Sequence, residues 1–244
     1  MTFRQKEFDI RCEWGEEGVA RLAPISDVVI VVDVLSFSTS VEIAVSRGAT
    51  IFPYRGPADG VPDYASSVGA EWADRSRSAG RHSLSPASMV EIEAETRLVL
   101  PSPNGSTLSL GAAPTPVLAG CLRNARAVAM AAGTFGQRVA VIPAGERWRP
   151  GGSLRPSLED WLGAGAIINY LAGSHSPEAR SAVAAFRAEA EMDRALAQCG
   201  SGKELIERGF ARDVRLAAEL NVSEGVPVLV EGAYRLFGFA SSTD

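Results

Sequence analysis

What is scarce in this chain narrows its chemistry more than what is common. The 244 residues include only two histidines, His82 and His175, which stand far apart in sequence and cannot by themselves make a histidine-rich metal site. The cysteines, Cys12, Cys121 and Cys199, are odd in number and lack C-x-x-C spacing, which argues against a disulfide framework or a zinc site and fits a reducing compartment. There is no basic excess: the formal net charge is -5 and the pI about 5.3, so phosphates along a duplex would go unneutralised and nucleic acid is not an expected partner. The opening MTFRQKEFDIRCEW alternates charged and apolar residues where a signal peptide would be uninterruptedly apolar, and no later run reaches bilayer length. The expected location is therefore the cytoplasm, with no membrane partner.

Several catalytic signatures are missing as well. No G-x-S-x-G elbow exists, which disfavours a Ser-His-Asp hydrolase. The second residue after Asp33 is Leu35, where an aspartyl-phosphate enzyme of the haloacid-dehalogenase kind would want a second Asp. In GSGKE, from Gly200, Lys203 is followed by Glu204 where a P-loop needs Ser or Thr for magnesium. Gly163 and Gly165 lack a third glycine and lie in helical text, so close helix packing explains them better than a dinucleotide fingerprint.

What is present is an α/β pattern. With 46% hydrophobic composition the chain can bury a large core. The stretch VVIVVDVLSFSTS, Val28 to Ser40, opens as a β-branched run that reads as a strand buried on both faces and breaks on Asp33. Carboxyl ends of such strands are where ligands gather, and Ser38, Thr39 and Ser40 are placed to open a helix whose free N–H groups favour an anion. A carboxylate beside an anion cradle points to a metal ion bridging to a phosphate; the plainer alternative is that Asp33 orients the loop and the hydroxyls cap the helix. An amphipathic segment follows from Val41 to Arg47. Further strands are expected at Lys6–Trp14, Ala49–Tyr54, Arg97–Leu100, Pro116–Gly120, Arg138–Ala144 and Val226–Glu231. Helices are expected from Asn124 to Ala132, with Asn124 as cap, after the Ser157 cap to Leu171, from Pro177 to Ala197, and after a capping box at Ser201–Glu204. Arg55 to Ser88 reads as loop-rich, and the turn SPNGST, from Ser102, offers a second hydroxyl-rich strand end. The fold class is α/β with a mainly parallel sheet, either one unit over 1–244 or two pseudo-symmetric halves of about 1–120 and 121–244.

In order, VVDVLSFSTS, LPSPNGST, VIPAGERW, SLEDWLGAG and GSGKELIERGFARDV resemble the magnesium-dependent 2-phosphosulfolactate phosphatase family. The resemblance implies a three-layer α/β/α fold of two similar, intertwined halves and hydrolysis of a phosphate monoester of a small anionic 2-hydroxy acid. Carried over by position, it implies Mg2+ held by Asp33 with Glu159 or Asp160, with Asp33 and Glu159 catalytic. Acids in a helix's first turn also favour the helix dipole, and Asp160 could reach back to Ser157, which is the structural alternative for that pair. Ser38, Thr39, Asn104, Gly105 and Ser106 would hold phosphate or sulfonate oxygens. Arg147 would clamp the acid tail, with Arg149 and Arg155 as substitutes. Ser36 stands where the family usually has arginine, which leaves a second reading: a silent homologue that binds an anionic metabolite. A phosphatase for another small ester is a third, and the oligomeric state, a homodimer included, stays open.

Overall fold

The residues Val28–Val32 have stiff, β-branched side chains that suit a pleated backbone, and their parity sorts them between two cores. Val28, Ile30 and Val32 enter one core and Val29 and Val31 the other, so the strand is sealed on both faces. The computed structural model describes residues 2–74, 77 and 80–238. Its strands are β1 (Ile10–Cys12), β2 (Val28–Val32), β3 (Thr50–Tyr54), β4 (Glu71–Trp72), β5 (Arg97–Pro101), β6 (Val117–Gly120), β7 (Val139–Pro143), β8 (Glu146–Arg147), β9 (Leu154–Arg155), β10 (Pro227–Val230) and β11 (Ala233–Leu236). Its helices are α1 (Gly15–Leu22), α2 (Phe37–Ser46), α3 (Val61–Ser67), α4 (Pro86–Met89), α5 (Gly105–Gly111), α6 (Ala125–Ala132), α7 (Leu158–Ile168), α8 (Pro177–Ala188), α9 (Met192–Gln198), α10 (Gly200–Glu207) and α11 (Ala211–Ala218).

The expected mixed α/β architecture is present as a mostly parallel nine-stranded sheet flanked by helices, in the order β1-β7-β2-β6-β10-β11-β3-β5-β4. β1, β7, β2 and β6 are mutually parallel, as are β3, β5 and β4. The hairpin β10–β11 lies antiparallel between the two sets. The sets therefore run in opposite senses along the ladder, and in a flat sheet the carboxyl ends of β2 and β5 would face away from each other. They meet instead, because a strand-to-strand twist of roughly 20–25° over the steps from β2 to β5 accumulates to about 100–125°. The sheet thus coils around α2.

That coiling corrects one sequence expectation. Val41 to Arg47 reads as amphipathic, yet every residue from Phe37 to Val45 is buried, since α2 is surrounded by β3, β6, the closing hairpin, α4 and α5. The expected lone strand at Val226–Glu231 is a hairpin. Glu231 and Gly232 both take positive φ, 50° and 80°, and form the two-residue turn that returns the chain into β11. Some caps also differ: Asn124 does not cap α6 but accepts from Cys121 N–H and donates to Ala119 and Gly225 carbonyls. α10 is capped by the Cys199 sulfur accepting from Gly202 N–H at 3.3 Å, not by Ser201. The three cysteines are free and buried.

Gly163 and Gly165 are packing residues, as the spacing predicts. A Cβ on Gly163 would stand 3.0 Å from Val32 Cγ1, and one on Gly165 would stand 2.7 Å from the Ala182 carbonyl carbon and 2.9 Å from Phe186 Cβ. α7 is thereby pressed between β2 and α8. Gly165→Ala is expected to destabilise the fold by about 1–3 kcal/mol through overpacking against a backbone that cannot yield. Denaturant unfolding should show a lower midpoint with an unchanged slope.

Candidate active site

The site is assembled by carboxylates that gather the amides of separate loops. Asp33 leaves β2, and its Oδ1 accepts Phe37 N–H (3.2 Å) while its Oδ2 accepts Gly105 N–H (2.9 Å) from the turn after β5. Only glycine allows that approach, because a Cβ on residue 105 would lie 2.7 Å from Phe37 Cβ and nearer still to its ring. Asp160, in the first turn of α7, reaches the other way. Its Oδ1 accepts Val34 N–H and its Oδ2 accepts Gly145 N–H, both at 2.8 Å. It does not turn back to Ser157, whose hydroxyl makes no cap either. The ends of β2, β5 and β7 and the start of α7 therefore converge.

Glu159 lies beside them, 2% exposed, and its Oε2 is a buried oxygen with no hydrogen-bond partner. Glu146, just past β7, accepts a bond from Asn104 Nδ2 at 3.1 Å. Gathering these acids out of water penalises their charge. Burial above all, and then the negative charge of Glu146, push the Asp33 carboxyl up to about 7 against the amide bonds from Phe37 and Gly105. Asp160 is held well above the ordinary carboxylate range by burial, Glu159 and Asp33. Glu146 is raised by burial, with Glu159 and Glu204 adding to it.

A cavity of about 130 Å³ opens on this cluster, lined by Asp33, Ser36, Asn104, Glu146, Glu204 and Arg77 among others. It adjoins a larger one of about 420 Å³, with which it shares Arg77, Leu84, Ser102, Pro103 and Arg208. Of the residues singled out from sequence, Asp33, Asn104, Gly105, Glu159 and Asp160 are brought together here. The hydroxyls of Ser38, Thr39 and Ser106 are buried and donate to the Val31, Val34 and Leu100 carbonyls at 3.1, 2.7 and 2.9 Å, so in this structure they brace loops. Arg147 pairs with Glu16 and donates to Gly152 O, lining a different cavity of about 240 Å³. Arg149 is exposed, and Arg155 stacks over Trp148. The arginines on the acid cavity are Arg77 and Arg208; Arg77 lies in no residue pattern that marks it, and Arg208 falls within the GSGKELIERGFARDV block without being singled out there. Glu146 and Glu204 lie in the VIPAGERW and GSGKELIERGFARDV blocks but are not singled out for the site by sequence, although a place three residues past a buried parallel strand is a usable signal for Glu146.

Among the described residues no group of three or more His, Cys, Asp or Glu is arranged to hold a metal ion. Asp33 and Asp160 each already accept two amide N–H groups. Magnesium, however, needs only one or two carboxylates when waters and a substrate phosphate complete its shell. The unpartnered Glu159 oxygen within a mutually repelling set of buried acids fits such a cation.

Two outcomes follow for protein in chelator-containing buffer. A carboxyl whose folded pKa is raised stabilises the fold while protonated, so stability is lost as pH rises from the unfolded value, 3.8 for Asp33, through about 7. Asp33→Asn should flatten the fall of Tm over that window. Glu159→Gln replaces a buried carboxylate that has one unpartnered oxygen and should raise Tm; an unchanged or lower Tm would mean that the oxygen is satisfied.

Comparison with known proteins bears on the same residues. The sequence profile of a family described as 2-phosphosulpholactate phosphatase matches residues 18–232. A 2-phosphosulfolactate phosphatase from Methanothermobacter thermautotrophicus is 33% identical over 139 residues, 57% of this chain and 58% of the relative. Proteins named probable 2-phosphosulfolactate phosphatase from Carboxydothermus hydrogenoformans and Deinococcus radiodurans are each 34% identical, over 53% and 56% of this chain and 54% and 57% of their own lengths. The chain thus spans a little over half the length of these relatives in alignment. No helix among the described residues is long and apolar enough to cross a membrane. Because the matched profile runs from α1 through the turn of the β10–β11 hairpin, the chain belongs to the 2-phosphosulpholactate phosphatase family.

Proposed function

We propose that the protein is a magnesium-dependent phosphoric monoester hydrolase acting on a small anionic 2-hydroxy acid phosphate of the 2-phosphosulfolactate type. The observation that carries this reading is the unpartnered, buried Glu159 oxygen beside Asp33, Asp160 and Glu146, of which Asp33 and Glu146 line the smaller cavity. Such an arrangement costs stability unless a cation relieves it. Asp33, which lines the cavity, and Glu159, which has an unpartnered oxygen, would hold Mg2+, while Asp160 would position the loops whose amides it accepts. When bound, the ion would neutralise phosphoryl oxygens and favour attack at phosphorus.

The chain's own residues supply the rest. Phe37 and Gly105 N–H fix the plane of the Asp33 carboxylate, so no reorganisation is needed as substrate arrives. Asn104 holds Glu146 by one oxygen, and burial raises the Glu146 carboxyl, which lines the cavity and would be the group to exchange a proton with the ester oxygen as the bond to phosphorus breaks. The narrow cavity limits water around the ester. Product release would leave inorganic phosphate and the free hydroxy acid.

A second reading has its own observation. Ser36, where the family usually has arginine, is 3% exposed, lines the cavity and has an unpartnered hydroxyl. A silent homologue that only binds an anionic metabolite would follow if that arginine were essential. Phosphate release under magnesium titration, on a panel of 2-phospho-hydroxy acids, separates the readings. Turnover is expected in the wild type. Asp33→Asn, folded by circular dichroism, should lose at least about a hundredfold of it. Thermal stabilisation by the acids without phosphate release would favour the silent homologue, and wild-type rates in Asp33→Asn would remove Asp33 from the mechanism.

A further inference from the structure

The charges around the two joined cavities differ in balance. Asp33, Glu146 and Glu204 line the smaller chamber, whereas the larger one is lined by Arg55, Arg77 and Arg208 against a single acid, Asp74, with Arg77 and Arg208 standing on the boundary. Those two are built into place. Arg77 donates to Asp213 Oδ2 at 3.1 Å, its side chain only 11% exposed, and the other Asp213 oxygen is tied down by Ser85 Oγ at 2.7 Å and Ala87 N–H at 2.9 Å. The guanidinium carbon of Arg77 lies 4.9 Å from the centre of the Phe210 ring, and that of Arg208 lies 5.6 Å from the same centre. Two cations sharing one ring repel each other, and Asp213 answers only one of them closely. Arg208 has a long contact to Glu204 at 3.4 Å with more than half of its side chain exposed, so its fork is free to take an incoming anion.

Resting on the phosphatase reading, we propose that Arg77 and Arg208, rather than Arg147, form the subsite for the acid end of the ester. The substrate class is then a phosphate monoester with a sulfonate or carboxylate at its far end: phosphoryl group toward Asp33, acid group on the arginine pair. The larger chamber continues past the pair to Tyr54 and Arg55, so the acid is not restricted to three carbons. Arg147 is unsuited to the role because Glu16 already neutralises it over a different cavity.

The test compares an aryl phosphate, which has no anionic tail, with a 2-phospho-hydroxy acid bearing a sulfonate. Each is assayed with wild type, Arg208→Gln and Arg208→Lys; Arg77→Gln is a supplementary variant because Asp213 depends on Arg77. Arg208→Gln should lower the preference for the acid ester about ten- to a hundredfold, chiefly through KM, and Arg208→Lys should restore part of it. A second readout needs no turnover: the free sulfonated hydroxy acid should raise the Tm of wild type but not of Arg208→Gln. Turnover of the acid ester with a preference untouched by Arg208→Gln overturns the subsite and leaves the phosphatase reading standing. If neither ester is hydrolysed, the phosphatase reading fails, and the Tm arm decides the subsite: equal stabilisation of wild type and Arg208→Gln overturns it.

Discussion

Everything at the candidate site depends on carboxylates that accept backbone amides from loops other than their own. Asp33 binds the turn after β5, and Asp160 binds the loops after β2 and β7. Each amide would otherwise be a donor in a crowded loop, and burying one without a partner costs on the order of 1–3 kcal/mol. The carboxylates satisfy those donors and, in the same act, bring three strand ends together. Without them the strong twist of the sheet would still carry β5 toward β2, but nothing would set the distance between their loops.

The arrangement is in tension with itself. Donated amides favour the charged carboxylate, while burial and neighbouring acids oppose it, and for both Asp33 and Asp160 the opposition wins. Glu159 lies beside them, a side chain sealed from solvent with one oxygen unmatched. A sequence selected for stability alone would place Gln or Leu there. A buried oxygen without a partner is a local cost that the packing around it does not repay.

Much of this was legible from residue order. The parity of Val28–Val32, the single acid that ends the run, the Asn-Gly turn and the SLED helix start all state their roles locally, and the structure brings them together. What stayed hidden depends on long-range geometry. Asp160 reads equally well as a first-turn acid serving the helix dipole, and only the proximity of Val34 and Gly145 shows otherwise. α2 reads as amphipathic because the curvature that buries its second face is a property of the whole sheet. Glu231-Gly232 lacks the Asn-Gly or Asp-Gly signature of a tight hairpin, so β11 was not visible. Arg77 and Arg208 meet over a shared aromatic ring, a pairing that no spacing rule reveals.

The position of the β10–β11 hairpin bears on how the chain reaches this form. Its strands are the latest in the chain among those described, yet they occupy the middle of the ladder, between β6 and β3. A nascent polypeptide emerging from the ribosome therefore carries two parallel platforms with bare, hydrogen-bond-hungry edges until residues near 236 are free to insert. The keystone arrives last, and shortened products would be left as sticky, half-closed sheets rather than as smaller folded domains.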